Sequence, residues 1–350
     1  MSARTVEVGA ENSTPRGGRR ALARLVRLVR LVRLVRQRWF GPVVALLFLA
    51  LVGWLVADHV RAIDWGQVRS ALAAYRAPTL ATAAVLVLAS HLTYASYELI
   101  GRRYVGHSLS TARVLGVGFV SYAFNLNLGS LVGGVGFRLR LYSKLGLDAA
   151  QIGRLIVLSL VTNWSGWLLL AGAMLALRQI ALPPTFPISM GMLLALGVAM
   201  FALPLAYVAA CFFSKRREWA WREHRFALPS GRLALAQLGV SSLNWALIGA
   251  VVWQLMPREL GFGTVLATQL SAAVIAVPTH VPGGLGVLEA VYVGVLGARV
   301  PTASLLAALL AFRALYYVLP LAVAAALHLA FELGARCRRK AELSPTCRAG

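Results

Sequence analysis

Apolar runs about as long as a bilayer is thick recur along residues 42–331, separated by short arginine-rich segments. A membrane-crossing helix needs about 20 mostly apolar residues. Six stretches read as full spans: 42–57, 78–97, 152–177, 188–213, 233–255 and 302–331. Two more apolar regions, 113–136 and 263–297, are interrupted by glycine clusters and do not read as simple crossings. Residues 61–76 read as a short interfacial helix before the second span. Composition agrees: hydrophobic residues are 59% and charged residues 13% of the chain. A soluble domain carries about 25% charged residues.

The basic excess is large, 35 Lys and Arg against 12 Asp and Glu. Such a charge can serve nucleic acid, but membrane proteins also collect Lys and Arg in their cytoplasmic loops. The distribution favours the membrane reading and no nucleic-acid partner. Ten basic residues precede residue 41, and the segments 98–113, 137–154, 214–232 and 333–350 raise the total to 28. The alternate segments hold six, and Arg313 lies inside the last span. This split puts both termini in the cytoplasm. It also makes 113–136 enter and leave from the basic face and 263–297 from the opposite face. Two re-entrant hairpins follow, one from each side.

The ends are simpler. Residues 1–40 form a basic, partly disordered segment with an arginine at every third position from Arg24 to Arg36. Such steps turn about 300° on a helix and spread the charges around it. Val43–Ala57 reads as a retained span, since no small-x-small cleavage site follows it. Residues 41–332 form the transmembrane domain and 333–350 a basic tail. Three cysteines without ligand spacing suggest neither a disulfide framework nor a metal site, and no cofactor is expected.

The two hairpins share sequence. Gly133-Gly134-Val135-Gly136 matches Gly283-Gly284-Leu285-Gly286 at an offset of 150 residues, and Ser90-His91-Leu92-Thr93-Tyr94-Ala95 parallels Ser241-Ser242-Leu243-Asn244-Trp245-Ala246 at 151. The matched spans run in opposite directions. The expected fold is therefore all-α: about six spans plus two hairpins, arranged as an inverted-topology repeat over 42–177 and 188–331.

Helix breakers within a bilayer need a polar environment, because an unpaired backbone group in lipid costs several kcal/mol. Pro278, Pro282, Gly283, Gly284 and Gly286 should thus border a polar interior, with His280 and Glu289 beside them. A helix starting near Gly286 would aim free N–H groups there, and such termini attract anions. A phospholipid phosphate is the anion at hand. On the first hairpin, Asn125, Asn127, Gly133, Gly134, Arg138 and Arg140 are the matching candidates. Arg138 and Arg140 diverge by about 200° on a helix, so they cannot share one ligand there. Arg313 is costly at its depth unless paired; pairing with Glu289 and binding a lipid phosphate are the two roles open to it.

These hairpins, HVPGGLGVLEA and FNLNLGSLVGGVGFRLRLYSKLGL, resemble the transmembrane (flippase) region of bacterial lysylphosphatidylglycerol synthetases and their stand-alone relatives over residues 41–332. Gly134, Arg138, Gly283, Gly284 and Glu289 match that family's motifs. The resemblance implies a bacterial inner-membrane protein that handles anionic phospholipid of the phosphatidylglycerol or cardiolipin type. It carries no expectation of lipid aminoacylation, because the aminoacyl-transferase domain is not among these residues. The expectation is a lipid translocator with no catalytic residues. Two other readings stay open: a membrane-embedded lipid transferase using Glu289 and His280, and a lipid-binding scaffold for a partner enzyme. A homo-oligomer also stays open.

Overall fold

The structure, a computed structural model, describes residues 65–179, 189–215, 218–221, 224–279 and 281–329. The basic N-terminal segment, the span expected at 42–57, His280 and the C-terminal tail lie outside the described residues. In chain order the helices are α1 (Trp65–Ala73), α2 (Ala77–Ala95), α3 (Tyr97–Val105), α4 (Thr111–Gly129), α5 (Phe137–Lys144), α6 (Ala149–Ala176), α7 (Met190–Phe213), α8 (Gly231–Leu255), α9 (Phe262–Thr279), α10 (Val287–Leu296) and α11 (Thr302–Arg313). Among the described residues, the strands β1 (Glu218–Trp221) and β2 (His224–Ala227) form an antiparallel ribbon between α7 and α8. This ribbon is a small addition to the all-α expectation. The chain is a multi-pass helical membrane protein, with seven helical segments long and apolar enough to cross a bilayer among the described residues.

Local sequence sets the helix ends. Pro78 occupies the first turn of α2, where its missing N–H costs nothing. Asp148 and Gln151 close a reciprocal cap on α6: Gln151 N donates to Asp148 Oδ1 at 2.7 Å and Asp148 N to Gln151 Oε1 at 3.1 Å. Ser189 and Ser230 cap α7 and α8. Beyond α11 the helix widens into a π segment at Ala314–Val318, and the apolar span continues to Leu329.

The repeat-matched helices α2 and α8 pack against each other in opposite directions. Tyr75, just before α2, donates from its hydroxyl to Leu255 O at the end of α8, and Ser90 Oγ donates to Asn244 Oδ1 farther along. Burial pushes the Tyr75 phenol up to about 12, so it stays a donor. Helix α6 lies against α8, where Ser241 Oγ and Trp245 Nε1 both donate to Asn163 O, at 3.0 and 3.1 Å. Small residues allow this approach. A Cβ on Gly166 would fall 2.4 Å from both Ser241 Oγ and Ser242 N. Gly166→Ala is therefore expected to destabilise the bundle by about 1–3 kcal/mol through overpacking. Detergent-unfolding midpoints check this, and a wild-type midpoint would refute it.

Candidate functional site

By length and hydropathy Thr111–Lys144 could pass for one span. Its geometry is a hairpin. A Cβ on Gly133 would lie 2.1 Å from Phe124 O, and the rings of Phe124 and Phe137 stack at 3.9 Å between centroids. Residues nine apart on a continuous helix would be about 13 Å apart. The reversal occurs at Gly129, whose φ of 81° suits glycine. Residues 130–136 then form a π segment leading into α5.

The second region reverses as well. Tyr292 Oη on α10 donates to Gln269 Oε1 on α9 at 2.9 Å, so the two helices run back alongside each other. The turn is built on Gly283, Gly284 and Gly286, with φ of 65°, 57° and 78°. Pro282 opens its short 3-10 turn, Pro282–Gly284.

The two hairpins meet. A Cβ on Gly283 would stand 3.7 Å from Leu126 O of the first hairpin and 3.7 Å from Arg313 Nη1. Asn127 Nδ2 donates to Ala123 O at 2.8 Å within its own helix and to Tyr317 O at 3.2 Å in the last span. Asn125 Oδ1 packs 2.8 Å from where Gly134 would carry a Cβ. Thus α4 touches both the second turn and the span that follows it.

The pair expected between Glu289 and Arg313 forms. Arg313 Nε donates to Glu289 Oε1 at 2.6 Å and Nη2 to Oε2 at 3.0 Å, a two-point contact. The same guanidinium donates to Gly283 O at 2.8 Å and Gly284 O at 3.1 Å. Glu289 Oε2 accepts from Gly286 N at 2.9 Å. The pair therefore satisfies backbone groups that the glycine turn frees. It is not sealed: the Arg313 and Glu289 side chains are 12% and 23% exposed. Tyr317 lies 5.6 Å below the guanidinium, in cation–π range.

The first hairpin has its own pair, with the charges exchanged between positions. Arg138, four residues after Gly134, donates from Nε to Glu98 Oε1 on α3 at 2.7 Å and from Nη1 to Gly134 O at 3.0 Å. Ser159 Oγ on α6 accepts from Nη2 at 3.3 Å, and Tyr142 Oη donates to Glu98 Oε2 at 2.8 Å. Both side chains are almost fully enclosed, 5% and 1% exposed. Arg138 is thus turned inward onto protein. Arg140 is exposed on α5. Sequence reasoning missed Glu98. Its signal was a lone carboxylate after an apolar run, next to Tyr97 and four residues after Tyr94.

Two glycine-broken hairpins packed into a bundle of spans, each held by an arginine–glutamate pair, define a class of multi-pass helical membrane protein. The chain belongs to the family described as Lysylphosphatidylglycerol synthase TM region, which matches residues 39–324. It is 38% identical over 292 residues to the Inner membrane protein YbhN of Escherichia coli strain K12, covering 83% of this chain and 92% of that one. It is 29% identical over 300 residues to the Uncharacterized protein slr0712 of Synechocystis, covering 83% and 90%.

Proposed function

We propose that this protein binds anionic phospholipid headgroups where the two hairpins meet and moves them between the leaflets of a bacterial inner membrane. The observation that carries the reading is the Arg313–Glu289 pair: a partly open ion pair at the tip of a broken helix, touching the other hairpin. A phosphate can take the place of the Glu289 carboxylate on the Arg313 fork, and Glu289 keeps its bond from Gly286 N. Exchange of one anion for another keeps the Arg313 charge paired, and the released Glu289 carboxylate, 23% exposed, turns to solvent. The long legs α4 and α9, 19 and 18 residues, are each about 27–28 Å in length. That is enough to carry either turn past the middle of a hydrocarbon core about 30 Å thick.

The opposed directions of α2 and α8 support an inverted repeat, and rocking of its halves would expose the site to each leaflet in turn. The basic-residue split and the name of the E. coli relative support an inner-membrane location with both termini cytoplasmic. No catalytic role is assigned to any residue in this reading.

The test is transport of labelled phosphatidylglycerol, cardiolipin and phosphatidylcholine in protein-containing vesicles. Wild-type protein is expected to move the anionic lipids faster. Arg313→Gln should slow them about tenfold, the effect of losing one charge-assisted contact, and Arg313→Lys should slow them less. Vesicles in which the wild-type protein moves no lipid faster than empty ones would sink the reading.

A further inference from the structure

Two adjacent tyrosines, Tyr316 and Tyr317, stand in the π segment Ala314–Val318, directly after Arg313. Such widened turns recur at functional sites in helices. Both residues tie this segment to the first half of the chain. The Tyr316 hydroxyl is 2.7 Å from Ser90 Oγ on α2 and 2.9 Å from the Tyr122 hydroxyl on α4. The Tyr317 carbonyl accepts from Asn127 Nδ2, farther along α4, at 3.2 Å. The stretch after Arg313 is therefore fixed at two points to a leg of the opposite hairpin.

The Tyr317 ring belongs to the site itself. Its centroid is 5.6 Å from the Arg313 guanidinium carbon, and its Cδ1 is 4.0 Å from where a Cβ on Gly283 would stand. It meets the Phe312 ring edge-on, 5.7 Å between centroids with planes at 81°, and the Tyr316 ring at 5.9 Å with planes at 61°. Phe312 and Tyr316 are fully buried, so these edge contacts set the orientation of the Tyr317 ring. One residue thus touches the cation, the glycine turn and the first hairpin.

The bonds on Arg313 show why that contact matters. The guanidinium makes four hydrogen bonds, two to Glu289 and one each to Gly283 O and Gly284 O. An anion that displaces Glu289 breaks the first two. The two carbonyls and the ring then hold the guanidinium while its partner changes. A ring face attracts a cation through its quadrupole whichever anion sits on the fork, and more so where water is scarce. We propose that Tyr317 is the positioning residue of the headgroup site: its ring keeps the Arg313 fork aimed while one anion replaces another, and its carbonyl ties that ring to α4 through Asn127. The proposal rests on the headgroup role of Arg313.

The test measures phosphatidylglycerol movement in vesicles holding the full-length protein. Tyr317→Phe keeps the ring face and should stay within about twofold of the wild type. Fluorinated phenylalanines in place of Tyr317 keep the ring's shape and strip its negative face. Each added fluorine should slow the lipid further, reaching about fivefold with three. In an Arg313→Gln background the same series should be flat, because the cation is gone. Asn127→Leu, which removes the tie, should slow movement about threefold with Arg313 present and not in Arg313→Gln. A ring that only fills space gives no fluorine trend, or the same trend in both backgrounds. Wild-type protein that moves no lipid sinks the headgroup reading and this role together. Wild-type movement without a fluorine trend, or with a trend that survives the loss of Arg313, overturns the role of Tyr317 alone, and an Asn127→Leu protein as fast as the wild type overturns the tie.

Discussion

Arg138→Leu is expected to destabilise the protein by about 3–5 kcal/mol, the cost of leaving a buried charge without its partner. The stranded group is Glu98, 1% exposed, whose remaining partner among the described residues is the Tyr142 hydroxyl. Water cannot reach the carboxylate to replace the guanidinium. The Gly134 carbonyl and the Ser159 hydroxyl would also lose a donor. Removing both charges should cost less than removing one, because a buried pair is frequently replaceable by apolar groups at little cost. Arg138→Leu combined with Glu98→Leu should therefore recover much of the loss. Unfolding midpoints of the two single variants and the double variant, in mixed detergent, give the coupling. A single variant within about 1 kcal/mol of the wild type, with no recovery in the double, would contradict this account.

The comparison with Arg313 separates holding the fold from handling a ligand. Its pair with Glu289 is the more open of the two. Solvent can hydrate Glu289 when Arg313 is changed, so Arg313→Leu should destabilise less than Arg138→Leu. Under the proposed function, the first hairpin is the fixed member and the second the one whose ion pair would be exchanged. That assignment differs from what the motif alone suggests, where Arg138 is the prominent cation next to a glycine turn.

Much of this architecture was legible because membrane burial imposes coarse rules. Apolar length located the five expected spans that fall among the described residues, and the basic split called for two regions that turn back on themselves. Both regions do reverse, at Gly129 and at Gly283–Gly286. The Glu289–Arg313 pair was legible because an arginine deep in a span needs a partner and few carboxylates were available. Glu98 was not legible. A boundary drawn at residue 97 placed it in a basic loop, whereas α3 continues to Val105 and carries it inward. The polar contact between α2 and α8 was also hidden. Ser90 and Asn244 lie 154 positions apart, and apolar periodicity says nothing about which polar residues of two helices will touch. Nor did the sequence distinguish a glycine that turns the chain from one that admits a neighbour, since both read as a broken helix.

That distinction yields a second large effect, within the single motif Gly133-Gly134-Val135-Gly136. Gly133→Ala would place its methyl 2.1 Å from Phe124 O, 2.2 Å from Phe124 C and 2.4 Å from Asn125 N. All three are backbone atoms of the opposing leg, so no side-chain rotation relieves the clash. The legs must part by about an ångström, disturbing the Phe124–Phe137 stack, at a cost of about 3 kcal/mol or more. Gly134→Ala meets Asn125 Oδ1 at 2.8 Å, the end of a side chain that can move, and should cost less. Gly136→Ala meets only Leu131 O at 3.5 Å, an ordinary contact. Its helical backbone there makes alanine neutral or stabilising by about 0.5–1 kcal/mol. The expected order of unfolding midpoints is Gly136→Ala highest, then Gly134→Ala, then Gly133→Ala. A Gly133→Ala protein as stable as Gly136→Ala would mean that the legs do not lie against each other, and the turn at Gly129 would lose its place at the meeting point of the two hairpins.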